Sequence, residues 1–412
     1  MALNNHIVFV IGSLDYGGAE RHLTQVLPAL AARGWIVEVL TLSAPGAQAP
    51  ILRAKGIRVL APPLAPRPGN IFYRIARLLV ATLWFGAHMA TTRPNLVHFF
   101  LPQAYLIGGL MSLLTGPSLR VMSRRSRNFY QRRHSWMARI ERRLHGQMTA
   151  VLGNSRPVAI DLAEEGVRPE RLGLIYNGID LEPFESGPAA ATVRKALGIA
   201  EVEVVFVVVA NLIPYKGHED LLRALAIAEF PQPWRLVCIG RDDGILNGLR
   251  TLAAHLGIGG QVLWMGARTD IAALLRAADV GVLPSHEEGF SNAVLEYMAA
   301  GLPTVVTDVG GNSEAVVDGQ TGFVVPVGDL RAMAAALRQL ADRDVRRRMG
   351  GDGRTRAVAV FSLDHCVDDY DGLYTALLAS LGVPGHLRAD RLLPNKRFAS
   401  INTEKDDSRC AE

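Results

Sequence analysis

Cysteine is scarce in this sequence, with three in 412 residues. Cys238, Cys366 and Cys410 lie far apart and show no metal-ligand spacing. A disulfide-stapled scaffold and a cysteine-based metal site are therefore excluded. Cys238 lies in an apolar run, so we predict a buried thiol in a reducing compartment.

Long apolar runs are also missing. The longest, from Leu78 to Ala90, contains His88 and is shorter than the roughly 20 residues that span a membrane. We predict a buried helix there. Residues 1–6 lack the basic end of a signal peptide and lead directly into a strand-like run. These absences predict a cytoplasmic protein, either soluble or peripheral at the inner face of the cell membrane.

Acidic residues are few in the first half of the chain. Residues 1–185 hold 21 Lys and Arg but 11 Asp and Glu, whereas the remainder holds 23 Lys and Arg and 28 Asp and Glu. Between 120 and 143, Glu141 is the only acid, and apolar residues are interleaved with arginines. The arginines are Arg120, Arg124, Arg125, Arg127, Arg132, Arg133, Arg139, Arg142 and Arg143, and the apolar residues are Phe129, Tyr130, Trp136, Met137 and Ile140. This composition suits an anionic membrane or a polyanionic or phospholipid-linked acceptor, with a solvated helix face as the alternative. No nucleic-acid-binding motif accompanies the arginines, so we expect no nucleic-acid partner.

Several enzyme motifs are absent as well. The loop Gly12–Arg21 lacks the GxGxxG spacing of a dinucleotide site. Asp242-Asp243 and the segment 368–371 match metal-binding Asp-x-Asp pairs only loosely. No Ser/His/Asp or Cys/His set has a supporting context. We expect an activity that requires neither a metal nor a bound cofactor.

The chain does contain a regular alternation of strand-like and helix-like runs, which predicts βαβ units with parallel sheets. Predicted strands lie at 7–11, 36–42, 57–60, 96–99, 120–123, 150–154, 172–176, 202–210, 235–239, 262–265, 280–284 and 304–308. Proline and glycine in the segment 180–189 predict an interdomain linker. We predict an N-terminal domain over 1–185, a C-terminal domain over 186–361, a final helix over 362–384 and a polar, mobile tail over 385–412.

Two carboxylates follow the predicted strand 280–284. Glu288 lies in the turn that leaves the strand, and Glu296 lies inside the helix predicted over 293–300. The start of a helix offers unpaired N–H groups to an anion, and carboxylates accept hydrogen bonds from hydroxyls. Together these features suit a sugar–diphosphate–ribose ligand. One solvated acid and one structural acid are the alternative.

The residues around these carboxylates carry a resemblance to a known family. Glu288 and Glu296 are followed by the strings 299–303 (AAGLP), 310–314 (GGNSE) and 318–326 (DGQTGFVVP). This arrangement resembles the signature of glycosyltransferase family 4, and the resemblance extends over residues 6 to 382. The resemblance implies that this protein is a retaining enzyme with the GT-B fold. That fold is α/β, with two Rossmann-like parallel-sheet domains that face each other across a donor cleft, and a final helix that crosses back to the N-terminal domain.

The resemblance also implies donor-binding residues. Glu288 and Lys216 are the catalytic candidates: Glu288 would accept hydrogen bonds from the donor sugar, and Lys216 would stabilise the leaving diphosphate. Glu296 would bind the ribose. Asn211 stands where the family usually has an arginine, and Arg241 is the candidate to supply the missing cation. The other donor-side candidates are Gly17, Gly18, Gly266, Arg268, Gly289, Phe290, Ser291 and Asn292.

The acceptor-side candidates are His98, Arg124 and Arg125. His98 lies at the end of a predicted strand, where it would either orient an acceptor hydroxyl or be a structural histidine with its hydrogen bonds satisfied. Arg124 and Arg125 follow the next strand, where many relatives carry a histidine. Arginine there suggests an anionic acceptor.

The function implied by the resemblance is retaining sugar transfer from a nucleotide sugar, with UDP-sugars favoured over GDP-mannose. The acceptor would be a hydroxyl of a lipid-linked sugar or a polysaccharide, in cell-envelope or exopolysaccharide biosynthesis. The acceptor would attack from the front face, and the leaving diphosphate would assist deprotonation. Two alternatives are a non-hydrolysing nucleotide-sugar epimerase and a catalytically silent carbohydrate- or membrane-binding relative.

Overall fold

The structure divides into two compact units. The computed structural model describes residues 5–15, 17–64, 71–116, 119–129, 131 and 134–380. The first unit comprises the described residues up to Gly153, Ala159–Ile175 and the described residues from Val367 onward, and the second comprises Asn154–Val158 and Tyr176–Cys366. Residues 176–185 thus belong to the second unit, whereas the sequence predicts them in the first. Outside the described residues lie Tyr130, Arg132, Arg133, Cys410 and the predicted tail 385–412.

The first unit is built on a seven-stranded parallel sheet with the order β3-β2-β1-β4-β5-β6-β7. Its strands are β1 (His6–Ile11), β2 (Ile36–Thr41), β3 (Arg58–Leu60), β4 (Leu96–Phe100), β5 (Leu119–Arg124), β6 (Ala150–Gly153) and β7 (Leu172–Leu174). Ile7 of β1 pairs with Val37 on one side and with Leu96 on the other. All residues of β1 are buried, as expected for a strand covered on both faces.

The helices of the first unit lie between these strands, except for the last helix of the chain. They are Gly18–Ala32, Ala49–Ala54, Ile71–Thr92, Pro102–Thr115, Ser135–His145, Arg156–Glu164, the 3-10 helix Pro169–Arg171 and Leu363–Ala379. Two of these helices are shared between the units: Arg156–Glu164 contributes its residues from Ala159 onward to the first unit, and Leu363–Ala379 its residues from Val367 onward. There the Tyr370 hydroxyl lies 3.3 Å from His22 Nε2.

The prediction of a buried helix over 78–90 is wrong about burial. The helix is present as Ile71–Thr92, but much of its apolar surface is exposed, with Leu83 at 69%. Ala81 and Phe85, four residues apart, pack into the unit because only one face of a surface helix meets the core. In the part of the chain that the structure describes, no helix combines the length and the hydropathy needed to cross a bilayer.

The second unit is built on a six-stranded parallel sheet with the order β10-β9-β8-β11-β12-β13. Its strands are β8 (Val204–Val209), β9 (Trp234–Ile239), β10 (Val262–Gly266), β11 (Val280–Leu283), β12 (Thr304–Thr307) and β13 (Gly322–Val325). The strand β13 is not predicted from the sequence, because it is short, begins with glycine and pairs only along one side, with β12.

The helices of the second unit cover both faces of this sheet. They are Glu182–Glu185, Ala190–Ala196, His218–Ile227, Leu246–His255, Ile271–Arg276, Asn292–Ala299, Asn312–Ala315, Leu330–Gln339, Arg343–Phe361 and the 3-10 helices Pro214–Lys216 and Gly259–Gln261. The first of them lies inside the segment 180–189, where we predict a linker. Its Phe184 is buried in the core of the second unit, so this segment is partly structural.

The strand order reverses near the middle of each sheet, which locates the ligand-binding edge. In the second unit, strands run outward from β8 to β10 on one side and from β11 to β13 on the other. In the first unit the reversal lies between β1 and β4. Where the order reverses, the loops at the carboxyl ends of the two central strands diverge, and open α/β sheets bind ligands in the crevice between them. The predicted α/β class with two Rossmann-like parallel sheets is confirmed.

Candidate active site

Two predicted site residues from the central loops of the second unit are in direct contact. Lys216 belongs to the loop after β8, and Glu288 belongs to the loop after β11. Lys216 Nζ is 2.6 Å from Glu288 Oε1, and Ser285 Oγ donates to the same oxygen at 2.7 Å. The lysine side chain is 19% exposed and the glutamate side chain 10%. The pair is therefore shielded from bulk water but can still be reached by a ligand.

Backbone contacts between the two loops fix the position of this charged pair. Gly217 has a φ of +71°, and it lies so close to the carbonyl oxygen of Pro284 that any side chain would collide with it. The His286 amide donates to the carbonyl oxygen of Tyr215 at 2.7 Å. The lysine loop and the glutamate loop are thus joined on both sides of the pair.

A buried asparagine holds the turn before the helix Asn292–Ala299. Asn177 Nδ2 donates to the carbonyl oxygen of Phe290 at 3.0 Å and to Asn292 Oδ1 at 2.6 Å. In the described structure the Ser291 side chain forms no capping hydrogen bond, and the start of a helix directs backbone N–H groups toward an anion. We did not predict a role for Asn177 from the sequence. Asn177 lies 113 residues before Phe290, so no local pattern links the two residues. The only sequence signal for Asn177 is its place in the string 177–180 (NGID).

Tyr297 anchors the same helix to the sheet. Its ring fills the space beside Gly281 of β11, and its hydroxyl accepts a hydrogen bond from the Val209 amide at 2.7 Å. Glu296, one residue earlier, is buried. Glu296 is therefore held on a helix that Tyr297 anchors to the sheet. The contact of Glu296 with a ribose stays a prediction.

The arginines predicted on the donor side pair with acids two residues away. Arg241 contacts Asp243 at 2.8 and 3.1 Å, and Asn211 Oδ1 accepts from the Arg241 backbone N–H at 3.2 Å. Arg268 contacts Asp270 at 2.8 and 2.6 Å, and these hydrogen bonds raise the pKa of Arg268. Exposed ion pairs of this kind are weak, so the exchange of either acid for a phosphate would cost little.

The remaining donor-side candidates lie at the carboxyl ends of strands. Gly266 ends β10, and Gly289 lies in the loop after β11, where its carbonyl oxygen accepts from the Gly311 amide. Gly17 and Gly18 belong to the first unit, where they open the helix that follows β1.

Arg125 lies near the start of that helix in the first unit. Its guanidinium carbon is 5.9 Å from the centroid of the Phe100 ring, within cation–π range. Burial raises the pKa of Glu20, while a backbone hydrogen bond and the Arg125 charge partly offset the rise. A cation and a half-buried acid therefore share the carboxyl end of the first sheet.

The prediction that Arg124 attracts an acceptor is wrong. This arginine is 2% exposed and donates to Glu141 Oε2 and Glu165 Oε2, each at 2.8 Å. Burial alone would raise the pKa of Glu165, but hydrogen bonds from His145 and Arg124 hold it at about 2. Removal of one partner of a buried pair typically costs about 3–5 kcal/mol, so Arg124 is part of the core of the first unit.

His98 is enclosed in the first unit. Its Nδ1 is 2.7 Å from the Tyr374 hydroxyl, and its Nε2 is 2.8 Å from Ser123 Oγ. Burial, with a smaller contribution from the Arg125 charge, lowers the pKa of His98 well below its ordinary value. Because both ring nitrogens are engaged and the side chain is buried, the geometry favours the structural alternative.

The acids that loosely match metal-binding pairs have other partners. Asp242 Oδ1 accepts from the amides of residues 244–246, and Asp368 and Asp371 both pair with Arg33. Over the described residues, no group of three or more His, Cys, Asp or Glu is arranged to hold a metal ion.

Two family models match the chain, one in each half. The model described as Glycosyltransferase Family 4 matches residues 16–183. The model described as Glycosyl transferases group 1 matches residues 190–356. The second match contains the Lys216–Glu288 pair.

The chain is also similar to curated glycosyltransferases. A D-inositol 3-phosphate glycosyltransferase of Kineococcus radiotolerans is 30% identical over 384 residues, which cover 84% of this chain and 87% of the relative. The protein of the same name from Corynebacterium glutamicum is 27% identical over 399 residues, covering 91% and 95%. An N-acetyl-alpha-D-glucosaminyl L-malate synthase of Bacillus anthracis is 29% identical over 221 residues, covering 53% and 58%.

Solved structures share the fold over nearly the whole described chain. HepE from Anabaena, in complex with UDP and glucose, superimposes with a TM-score of 0.78 at 23% identity and covers 90% of this chain and 99% of its own. Sucrose-phosphate synthase from Thermosynechococcus elongatus gives a TM-score of 0.75 at 24% identity, with 91% and 99% covered. These similarities confirm the predicted GT-B fold.

Proposed function

The chain belongs to glycosyltransferase family 4, and we propose that it transfers a hexose from a nucleotide sugar to an acceptor hydroxyl with retention of configuration. The observation that carries the proposal is the Lys216–Glu288 pair, which lies where the strand order of the second sheet reverses. A cation suited to a diphosphate and a carboxylate suited to sugar hydroxyls are adjacent there.

A UDP-sugar is the proposed donor, with GDP-mannose as the second choice. HepE, which has the same fold, is found in complex with UDP and with UDP-glucose, and this supports uridine. Lys216 has three N–H donors, and one contacts Glu288, so two are left for phosphate oxygens. The N–H groups at the start of the helix Asn292–Ala299 would bind the same diphosphate.

In the proposed mechanism, the acceptor hydroxyl attacks the anomeric carbon on the face from which the diphosphate leaves. The glycosidic C–O bond to the diphosphate breaks as the new C–O bond forms, and negative charge grows on the departing oxygen. Lys216 and the helix N-terminus stabilise this charge. A phosphate oxygen takes the acceptor proton, so the scheme needs no covalent enzyme intermediate and no metal.

The proposed acceptor is a negatively charged, lipid-linked or polysaccharide substrate of cell-envelope or exopolysaccharide biosynthesis. Two observations support a negative charge. The relatives are named for D-inositol 3-phosphate, and Arg125 provides a cation at the carboxyl end of the first sheet. We place the enzyme in the cytoplasm, peripheral to the inner face of the membrane, because a lipid-linked acceptor is held there.

Donor choice is tested by thermal unfolding of the full chain with a panel of nucleotide sugars. UDP-sugars should raise the midpoint more than GDP-mannose does, since a ligand at a hundred times its Kd adds about 2.7 kcal/mol to the free energy of unfolding. UDP release from the best donor should persist in EDTA, because Lys216 takes the role of a divalent cation.

Each arm of this experiment can contradict one part of the proposal. A larger midpoint shift with GDP-mannose would reassign the donor. Turnover that stops in EDTA and returns with manganese would overturn the metal-independent scheme. If no nucleotide sugar shifts the midpoint or is turned over, the proposed function is wrong.

A further inference from the structure

The fully buried residues of the helix Ile71–Thr92 all lie from Ala81 onward. None of the residues from 71 to 80 is buried, whereas Ala81, Phe85 and Met89 are. The exposed residues of the first half are mostly large and apolar. A surface helix normally turns such residues inward, so this helix presents its apolar side to another medium or molecule.

Four exposed residues of the helix Ile71–Thr92 form one stripe, which we call the apolar stripe. They follow one another at spacings of three and four residues, so they lie on one side of the helix. The members of the apolar stripe are Phe72, Ile75, Leu79 and Leu83. The neighbouring helix Pro102–Thr115 adds Leu110, Leu113 and Leu114, the last of which is 80% exposed.

Positive charge flanks this apolar surface. Arg74 is exposed on the helix Ile71–Thr92 itself, and the helix Ser135–His145, which packs against Pro102–Thr115, carries further exposed residues. These are Trp136, Arg139, Arg142 and Arg143. Residues 39–160 hold seventeen Lys and Arg but one acid, Glu141, and that acid is buried against Arg124. The flank therefore has no exposed acid among the described residues of this range.

We propose that the apolar stripe inserts into the headgroup region of an anionic lipid bilayer, while the flanking arginines contact the lipid phosphates. An anionic bilayer complements both features of this surface. Its apolar interior accepts the apolar side chains, and its negative charge attracts the arginines. A second copy of the chain would offer the apolar surface but would bring the same positive charge, so repulsion opposes self-association there.

This proposal places the inserted apolar contact on the helix Ile71–Thr92 and keeps only Arg139, Arg142 and Arg143 of the arginine segment 120–143 as its charged flank. Arg124 cannot take part because it is buried, and Arg127 pairs with Asp161. The inference rests on exposed side chains and charge, not on the proposed transfer reaction, and the two can fail separately.

Vesicle cosedimentation of the full chain tests the inference. Vesicles of phosphatidylcholine mixed with phosphatidylglycerol should bind the protein, and phosphatidylcholine alone should bind it much less. The triple variant Phe72→Ser, Leu79→Ser, Leu83→Ser should lower partition into anionic vesicles by at least about tenfold, because each side chain loses favourable transfer from water. The matched control replaces three exposed apolar residues of the second unit, Val202→Ser, Ile227→Ser and Val358→Ser, and should bind like the parent.

Substitution of the flanking arginines gives a second, independent test of the inference. The change Arg139→Gln, Arg142→Gln, Arg143→Gln should weaken binding by about fivefold per arginine at low salt, and added salt should reduce that difference. Thermal unfolding and UDP affinity should match the parent in every variant, since none of these residues lies in the second unit's donor site.

Three results would overturn the inference. One is a parent protein that binds neither vesicle. Another is a triple serine variant that binds anionic vesicles as the parent does. The third is a concentration-dependent dimer in light scattering that the serine variant loses, which would assign the stripe to a second copy. A protein that binds vesicles but turns over no nucleotide sugar would contradict the proposed function and leave this inference standing.

Discussion

Replacing Glu288 with glutamine should lower the rate of sugar transfer by about a hundredfold to a thousandfold, which is the usual effect of removing one stabilising group from a reacting centre. Glutamine keeps the size of the side chain but loses the charge that holds Lys216 at 2.6 Å. It also loses an acceptor for the sugar hydroxyls. The measurement is the rate of UDP release at saturating donor, together with the thermal midpoint.

The control for this variant is Glu287→Gln, the adjacent acid. It removes the same charge from the same loop without touching the lysine, so activity should stay within about threefold of the parent and the midpoint should be unchanged. Equal losses in the two variants would mean that general loop charge, and not the Glu288 carboxylate, supports transfer. Full activity of the Glu288→Gln enzyme would mean that the Glu288 carboxylate has no role in sugar transfer.

Replacing Lys216 with methionine should weaken donor binding by about tenfold to a hundredfold and also slow turnover. The diphosphate is charged in the ground state and more so in the transition state, so the lysine contributes to both. Methionine keeps the apolar stem of the side chain. UDP affinity should fall while uridine affinity stays the same, because uridine carries no phosphate. Calorimetric titration with both ligands measures this difference.

Lys195→Met is the matched control, since Lys195 is an exposed lysine of the helix Ala190–Ala196 in the same unit. It should bind UDP like the parent. If Lys216→Met lowers uridine and UDP affinity equally, the lysine supports the shape of the nucleoside site and has no specific contact with the diphosphate.

The strands of this protein could largely be predicted from local sequence. A parallel strand that is buried on both faces needs a continuous apolar run, and Val204–Val209 is such a run. The edge strand Gly322–Val325 is not a continuous buried run, because it opens with glycine and is buried only at its two ends. Local sequence therefore fails at this edge strand, which opens with glycine and is partly solvated.

The site could be predicted only in part. Lys216 and Glu288 each follow an apolar run, so both were expected at the carboxyl edge of a sheet. The two residues are 72 positions apart, and their contact depends on the reversal of strand order between β8 and β11, which no local pattern shows. Their assigned roles came from the family resemblance and not from spacing.

Partners that are distant in sequence account for the errors. In the sequence Arg124 belongs to a basic run, and its partner Glu165 lies 41 residues later, in the turn after the helix Arg156–Glu164. Burial of the arginine follows from that pairing and not from its neighbours. For the helix Ile71–Thr92, an apolar run predicts a helix but cannot tell which half meets the core.

The central claim is that the Lys216–Glu288 site transfers a sugar with retention, and the anomeric configuration of the product tests it most directly. Methanol can serve as a small acceptor, and methyl glycosides do not interconvert, so proton NMR of the product records the stereochemistry. With UDP-glucose, in which the sugar is α-linked, the account predicts methyl α-glucoside from the parent enzyme and almost none from Glu288→Gln. Methyl β-glucoside from the parent, or the same yield from the variant, would contradict it.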